Sequence, residues 1–224
     1  MDQQFAALAA RALEFVPDGA RIGLGSGRTA GAFLEKLGER VRGGGRVRGV
    51  PSSEATAQKA RALGIPVDDL DGDELLEVTI DGADEVEHGT LNLIKGKGGA
   101  LVRERLLAAA SKRQVILITS DKLVDRLGER GPLPVEVIPF ALAFCRRHLD
   151  HLGLRPVWRG GPGAPYVTDN GNYILDCDTG PLTDPAAVHH AVRSLPGVLD
   201  TGLFLGTTDL VLVAEGGLVR ELHR

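Results

Sequence analysis

Cysteine is scarce in this chain: Cys145 and Cys177 are the only two among 224 residues. A disulfide framework is thereby excluded, and two small buried thiols in a reducing compartment are expected. A surplus of cations is also lacking, since 26 Lys and Arg stand against 30 Asp and Glu, for a formal net charge of -4. Nucleic-acid binding draws its affinity from cations laid along phosphates, so no nucleic-acid partner is expected, and any anionic ligand has to be met by local positive groups. No apolar run reaches the roughly 20 residues of a membrane-crossing helix, and no membrane partner is expected. The opening stretch MDQQFAALAARALEFV starts acidic and has helical apolar spacing, unlike a secretory signal. A soluble, cytoplasmic protein is expected. The pairs His148/His151 and His189/His190 lack the cysteines or spacing that would complete a zinc site, so no metal is expected.

What is present is an ordinary globular balance, 43% hydrophobic and 25% charged, enough for one large domain or two unequal ones. Helical spacing over residues 3–16 stops at Pro17-Asp18-Gly19, and a strand over 21–24 runs into Gly25-Ser26-Gly27-Arg28-Thr29-Ala30 and a helix through Leu37. A strand over 46–50, a helix to Leu63 capped by Ser52 or Ser53, an edge strand near Val67 and an acidic, solvated loop over 68–74 follow. Strands over 75–80 and 114–119 flank a helix over 100–110. This alternation predicts a parallel sheet with right-handed crossovers, in which ligands bind beyond the carboxyl ends of the strands.

After Gly128 the order changes to strand (135–138), helix (140–149), strands (155–158, 173–176), helix (186–194) and strand (198–201). That is β-α-β-β-α-β, the ferredoxin-like arrangement. A last strand over 209–214 returns to the first sheet. The expected fold is therefore α/β: a doubly wound, mostly parallel sheet domain of residues 1–128 plus 203–224, with an inserted, smaller ferredoxin-like α+β domain over 129–202.

Chemistry concentrates in three places. The glycine turn between a strand and a helix offers backbone N–H groups and a helix-dipole end to an anion. It formally matches a dinucleotide fingerprint, with Glu54 near the place of a ribose-binding acid, but Arg28 and the hydroxyls of Ser26 and Thr29 suit a bare phosphate better. Asp81 and Asp84 follow a predicted strand, with Gly82 expected to permit a sharp turn that brings the carboxylates together. Lys95, Gly96, Gly98 and Gly99 precede a helix on which Glu104 interrupts the stripe Leu101, Glu104, Leu107. An ion pair with Arg103 or Arg105 would make Glu104 structural. A part-desolvated carboxylate there is instead a stronger base than one in water, and the functional reading is preferred. Lys122, after the strand over 114–119, is a further anion candidate.

Taken together and in order, Gly25-Ser26-Gly27-Arg28-Thr29, Ser52-Ser53, Asp81-Gly82-Ala83-Asp84-Glu85, Lys95-Gly96-Lys97-Gly98-Gly99-Ala100 with Arg103-Glu104, and Leu133-Pro134-Val135-Glu136-Val137-Ile138-Pro139 resemble ribose-5-phosphate isomerase of type A. Val167-Thr168-Asp169-Asn170-Gly171-Asn172 and Pro196-Gly197-Val198 extend the resemblance through nearly the whole chain. It implies cofactor-free interconversion of ribose 5-phosphate and ribulose 5-phosphate through an enediolate. Glu104 would be the base, and Asp81, Asp84 and Lys95 match active-site positions. Ser26, Gly27, Arg28 and Thr29, together with Gly82, Ala83, Gly96, Lys97, Gly98 and Lys122, match substrate-binding ones. The family turn usually reads Gly-Thr-Gly-Ser-Thr, so Arg28 replaces a small hydroxyl residue, and Lys97 stands where glycine is common. Both add positive charge near a phosphorylated substrate. A homodimer or homotetramer is expected, since such enzymes commonly self-associate.

Overall fold

The computed structural model of the chain describes residues 3–71 and 74–224; Gly72 and Asp73, within the expected acidic loop, lie outside the described residues. In chain order the elements are α1 (Gln3–Leu13), β1 (Ala20–Leu24), α2 (Gly27–Arg42), β2 (Val47–Pro51), α3 (Glu54–Ala62), β3 (Thr79–Gly82), β4 (Glu85–Glu87), β5 (Leu93–Ile94), α4 (Leu101–Ala109) and β6 (Gln114–Thr119). Then come β7 (Leu123–Val124), β8 (Leu133–Val137), α5 (Leu142–His151), β9 (Pro156–Trp158), β10 (Tyr173–Cys177), α6 (Pro185–Arg193), β11 (Val198–Thr201), β12 (Leu203–Phe204), β13 (Leu210–Glu215) and β14 (Leu218–His223). The chain divides into two compact units, one of Met1–Ala83, Arg103–Lys122 and Thr207–Arg224, the other of Asp84–Val102 and Leu123–Gly206. Residues 84–102, expected with the parallel sheet, are thus grouped with the inserted part.

The first unit is built on a six-stranded sheet in the order β14-β13-β6-β3-β1-β2. All neighbouring pairs from β13 to β2 are parallel, and β14 is antiparallel to β13. Strands β1 and β6 are apolar and buried almost throughout, as a sheet covered on both faces requires. One face packs Ile22, Leu24, Ile80, Val115 and Leu117 under α1 and α2. On the other, Leu107 of α4 joins Val50 and Leu76, while the Thr79 hydroxyl lies 2.6 Å from that of Ser111 and donates to the Leu107 carbonyl at 3.3 Å. From β1 the chain crosses to β2 on one side, and from β3 to β6 on the other. The gap between β1 and β3 is therefore the topological switch point, where open α/β sheets take their ligands.

Three details differ from the sequence reading. Strand β3 continues through Asp81 and Gly82, which pair with Ile116 and Leu117, so the first acid belongs to the ladder and not to the turn after it. The loop over 68–74 is not simply solvated. Arg21, 4% exposed, donates to the Glu74 and Asp69 carbonyls at 3.0 and 2.5 Å and lies 3.4 Å from the Asp68 carboxylate. A buried guanidinium needs such acceptors, and the chain wraps to supply them. Lastly, the β13–β14 hairpin, which was not anticipated, turns at Gly216 and Gly217, both with positive φ.

In the second unit β8-α5-β9-β10-α6-β11 forms an antiparallel sheet in the order β11-β8-β10-β9, the ferredoxin-like arrangement. Its core joins Leu133, Val135, Val137, Cys145, Leu149, Leu175, Cys177 and Val192. A second sheet of very short strands, β12-β5-β4-β7, was not expected. Burial pushes the Cys145 thiol up and the Cys177 thiol to about 12, so both are protonated at pH 8 and neither offers a reactive thiolate. Iodoacetamide at pH 8 is expected to leave the native protein unalkylated by mass and fully active; rapid alkylation of either thiol would contradict this. Among the described residues no helix is long and apolar enough to cross a membrane.

Candidate active site

In the first unit, the turn after β1 is built around Asp81. Gly25 N–H donates to the Ile80 carbonyl at 2.9 Å, drawing the turn against β3 so closely that a Cβ at Gly25 would collide with the Asp81 carboxylate. Asp81 is fully buried, and its Oδ1 accepts from Ser26 N–H at 3.0 Å and Gly82 N–H at 2.7 Å. Two backbone donors on one oxygen fix the carboxylate's orientation. Gly82 is not the sharp turn expected of it. It is a strand residue, required because a Cβ would stand 2.8 Å from the Thr29 hydroxyl.

Ser26 occupies the N-cap of α2 but makes no side-chain capping bond. Its hydroxyl turns to Ser52 Oγ at 2.6 Å, Ser53 Oγ at 3.2 Å and Thr56 Oγ1 at 3.3 Å, and Thr56 Oγ1 donates to the Gly25 carbonyl at 3.1 Å. Ser53, one of the two expected caps, accepts from Thr56 N–H at 3.1 Å. Thr56 was not singled out, although its place three residues after Ser53 is that of a cap's partner. Gly27, with φ +88°, and Arg28 are exposed, and the Arg28 guanidinium stands 5.9 Å from the Phe5 ring centroid of α1. Lys122, half-buried, ends the single 3-10 turn Ser120–Lys122 that follows β6. Ser26 to Thr29, Asp81 to Ala83 and Lys122 therefore all sit at the carboxyl ends of β1, β3 and β6.

Glu104 comes to the same end by way of α4. Joining two parallel neighbours, α4 runs back against the strands, and the contact of Thr79 with Leu107 and Ser111 fixes its height. From Thr79, Asp81 is one pleat repeat toward the carboxyl end, about 6.6 Å. From Leu107, Glu104 is about 4.5 Å in the same direction and on the same stripe. Asp81 and Glu104 thus share a face and a level. Leu101, Glu104 and Leu107 are 0%, 5% and 2% exposed, so the stripe read from spacing is buried along its length. Arg103 is bonded to Glu54 Oε1 at 2.9 Å, which places the suggested ribose-binding acid in an ion pair at the first turn of α3.

In the second unit, Asp84 donates its N–H to the Ile94 carbonyl and accepts from Lys97 N–H at its Oδ2, both at 2.9 Å. Lys95, 2% exposed, donates its N–H to the Gly202 carbonyl at 2.9 Å and holds Nζ 5.6 Å from the Phe204 ring centroid. Gly96 and Gly99 adopt φ of +106° and +83°, closing a turn through Gly99 N–H to the Gly96 carbonyl, with Lys97 and Gly98 exposed at its tip. Asp84, Lys95, Gly96, Lys97 and Gly98 are gathered by this one turn. Among the described residues no cluster of His, Cys, Asp and Glu could hold a metal ion.

Comparison with known proteins gives this arrangement its family. Residues 48–217 match the family described as ribose 5-phosphate isomerase A (phosphoriboisomerase A). Over 214 residues the chain is 49% identical to ribose-5-phosphate isomerase A of Gloeobacter violaceus, covering 96% of this chain and 93% of that one. The corresponding protein of Thermomicrobium roseum is 50% identical over 214 residues, 95% of this chain and 90% of the relative. Among solved structures, ribose 5-phosphate isomerase A of Methanocaldococcus jannaschii aligns with a TM-score of 0.93 at 38% identity, covering 99% of this chain and 98% of that one. A D-ribose-5-phosphate isomerase in complex with phospho-erythronic acid aligns at 0.95 and 35% identity, covering 100% and 99%. The class is that of α/β enzymes that isomerise sugar phosphates. Within it, the chain belongs to the ribose 5-phosphate isomerase A family.

Proposed function

We propose that this chain interconverts D-ribose 5-phosphate and D-ribulose 5-phosphate through an enediolate, with Glu104 as the base, in the non-oxidative branch of the pentose phosphate pathway. The observation that supports this reading is a buried carboxylate, Glu104, on a helix whose rise sets it near the level of Asp81. From the open-chain aldose, Glu104 takes the proton on C2. The C2–H electron pair becomes the C1–C2 double bond, and the carbonyl pair moves onto O1. As the O2 proton is relayed to O1 by way of an aspartate and the C2 carbonyl forms, C1 takes the proton back from Glu104. One carboxylate reaching both carbons serves both transfers. Lys95 stabilises the charge that develops on oxygen. One of the two aspartates, Asp81 or Asp84, handles hydroxyl protons or ring opening. No cofactor or metal enters these steps. Conversion of ribose 5-phosphate is expected to proceed at full rate with a chelator present, whereas saturable NAD(P) binding without such turnover would overturn the reading.

The phosphate falls to the first turn of α2, with its backbone N–H groups, Ser26, Gly27 and Thr29, aided by Arg28 and Lys122. A cation–π contact at an exposed site contributes only about 0.5–1 kcal/mol, so a phosphate dianion would draw the Arg28 guanidinium from Phe5. Arg28→Ser is expected to raise KM about three- to tenfold at unchanged kcat; an unchanged KM would leave Arg28 to Phe5 alone. The working form proposed is a cytoplasmic homodimer or homotetramer, checked by light scattering.

A further inference from the structure

We infer that Arg159 and Tyr166, from the ferredoxin-like sheet and its long hairpin, are positioning residues that hold the Lys95–Gly99 turn in its working shape. The inference rests on the roles proposed above for Lys95 and Asp84. A turn with glycine at 96, 98 and 99 has no intrinsic reason to keep one conformation, because glycine is permissive on both sides of the φ map. Its carbonyl oxygens are nevertheless gripped in succession. Arg159 Nη1 donates to Gly96 O at 3.1 Å and Lys97 O at 3.2 Å, and the Tyr166 hydroxyl donates to Gly98 O at 3.0 Å. Arg159 is itself set by a bidentate pair with Asp176 of β10, Nε to Oδ2 at 2.8 Å and Nη2 to Oδ1 at 2.5 Å. Its guanidinium lies 5.5 Å from the Tyr166 ring centroid, and that ring covers Gly99 so closely that a Cβ there would collide with it.

The peptide between Gly96 and Lys97 links this grip to the chemistry. In a planar trans peptide the C=O and N–H point in opposite directions. Arg159 holds the Gly96 carbonyl, and the Lys97 N–H of the same plane points to Asp84 Oδ2 at 2.9 Å. Asp176, Arg159, the 96–97 peptide and Asp84 thus form a chain of bonds that aims the carboxylate, and the same turn begins at Lys95. Small misplacements of such groups cost rate more than binding.

Steady-state kinetics and thermal unfolding of Arg159→Met, Arg159→Lys and Tyr166→Phe, with Glu104→Gln as reference, test this. Arg159→Met is expected to lose about tenfold or more in kcat with KM within about twofold, and Tyr166→Phe about threefold, at near wild-type Tm. Arg159→Lys is expected to recover part of the loss, since one ammonium can reach a carbonyl but cannot also make the fork with Asp176. Tyr166→Phe removes a single oxygen and keeps the ring, so it reports even where Arg159→Met fails to fold. Wild-type kcat in folded Tyr166→Phe and Arg159→Lys, or losses that follow Tm alone, would overturn the inference. If Glu104→Gln is inactive while those variants are normal, only the positioning role falls; if Glu104→Gln is active, the underlying reading falls instead.

Discussion

Glu104→Gln is expected to lower kcat by about 10²- to 10⁴-fold while KM stays within about twofold, measured as conversion of ribose 5-phosphate to ribulose 5-phosphate. Glutamine keeps the volume and one acceptor oxygen, so the space of this buried side chain stays filled and the fold is not at stake. What is lost is the only property the mechanism asks of this side chain, a lone pair that can bind a proton from C2 and release it to C1. Substrate affinity depends on the phosphate and hydroxyls, which the amide does not disturb. A variant with wild-type turnover would remove Glu104 from the role of base.

The second large effect is expected at Lys95. Lys95→Met keeps the stem beside Phe204 and deletes the ammonium of a residue that is 2% exposed, so the charge that builds on oxygen is left without its cation. Removing one such donor typically costs about 10²–10³ in kcat. Lys95→Arg is expected not to restore activity, because a planar guanidinium needs more room than a compact ammonium at so enclosed a position. Full activity in Lys95→Met would show that the oxyanion is stabilised elsewhere.

Much of this was legible in residue order. The apolar run Val115 to Ile118 of β6 announces a strand buried on both faces, and the spacing of Leu101, Glu104 and Leu107 places a carboxylate on a buried stripe. The β-α-β-β-α-β order of the ferredoxin-like sheet follows from alternating periodicities. What could not be read depends on partners far along the chain. Asp81 and Gly82 are poor strand formers and read as a stop, but pairing with Ile116 and Leu117 keeps them in the ladder. The strands β4, β7 and β12 span two or three residues each, too few to show any period. The loop over 68–74 reads as solvated because its target, Arg21, is some 50 residues away. Arg159 and Tyr166 reach the glycine turn from 62 to 68 residues on. The C-terminal hairpin was within reach: Gly216-Gly217 between apolar stretches is a hairpin signal.

Glu104 is proposed to move the proton between C2 and C1. That role is tested most directly by following hydrogen exchange between substrate and D₂O by NMR, with wild type and Glu104→Gln side by side. The wild type is expected to pass the C2 hydrogen to C1, and to introduce solvent deuterium there only as far as the Glu104 carboxyl exchanges before it returns its proton, whereas the folded variant carries out neither at a comparable rate. Transfer and turnover in Glu104→Gln at the wild-type rate would contradict that role.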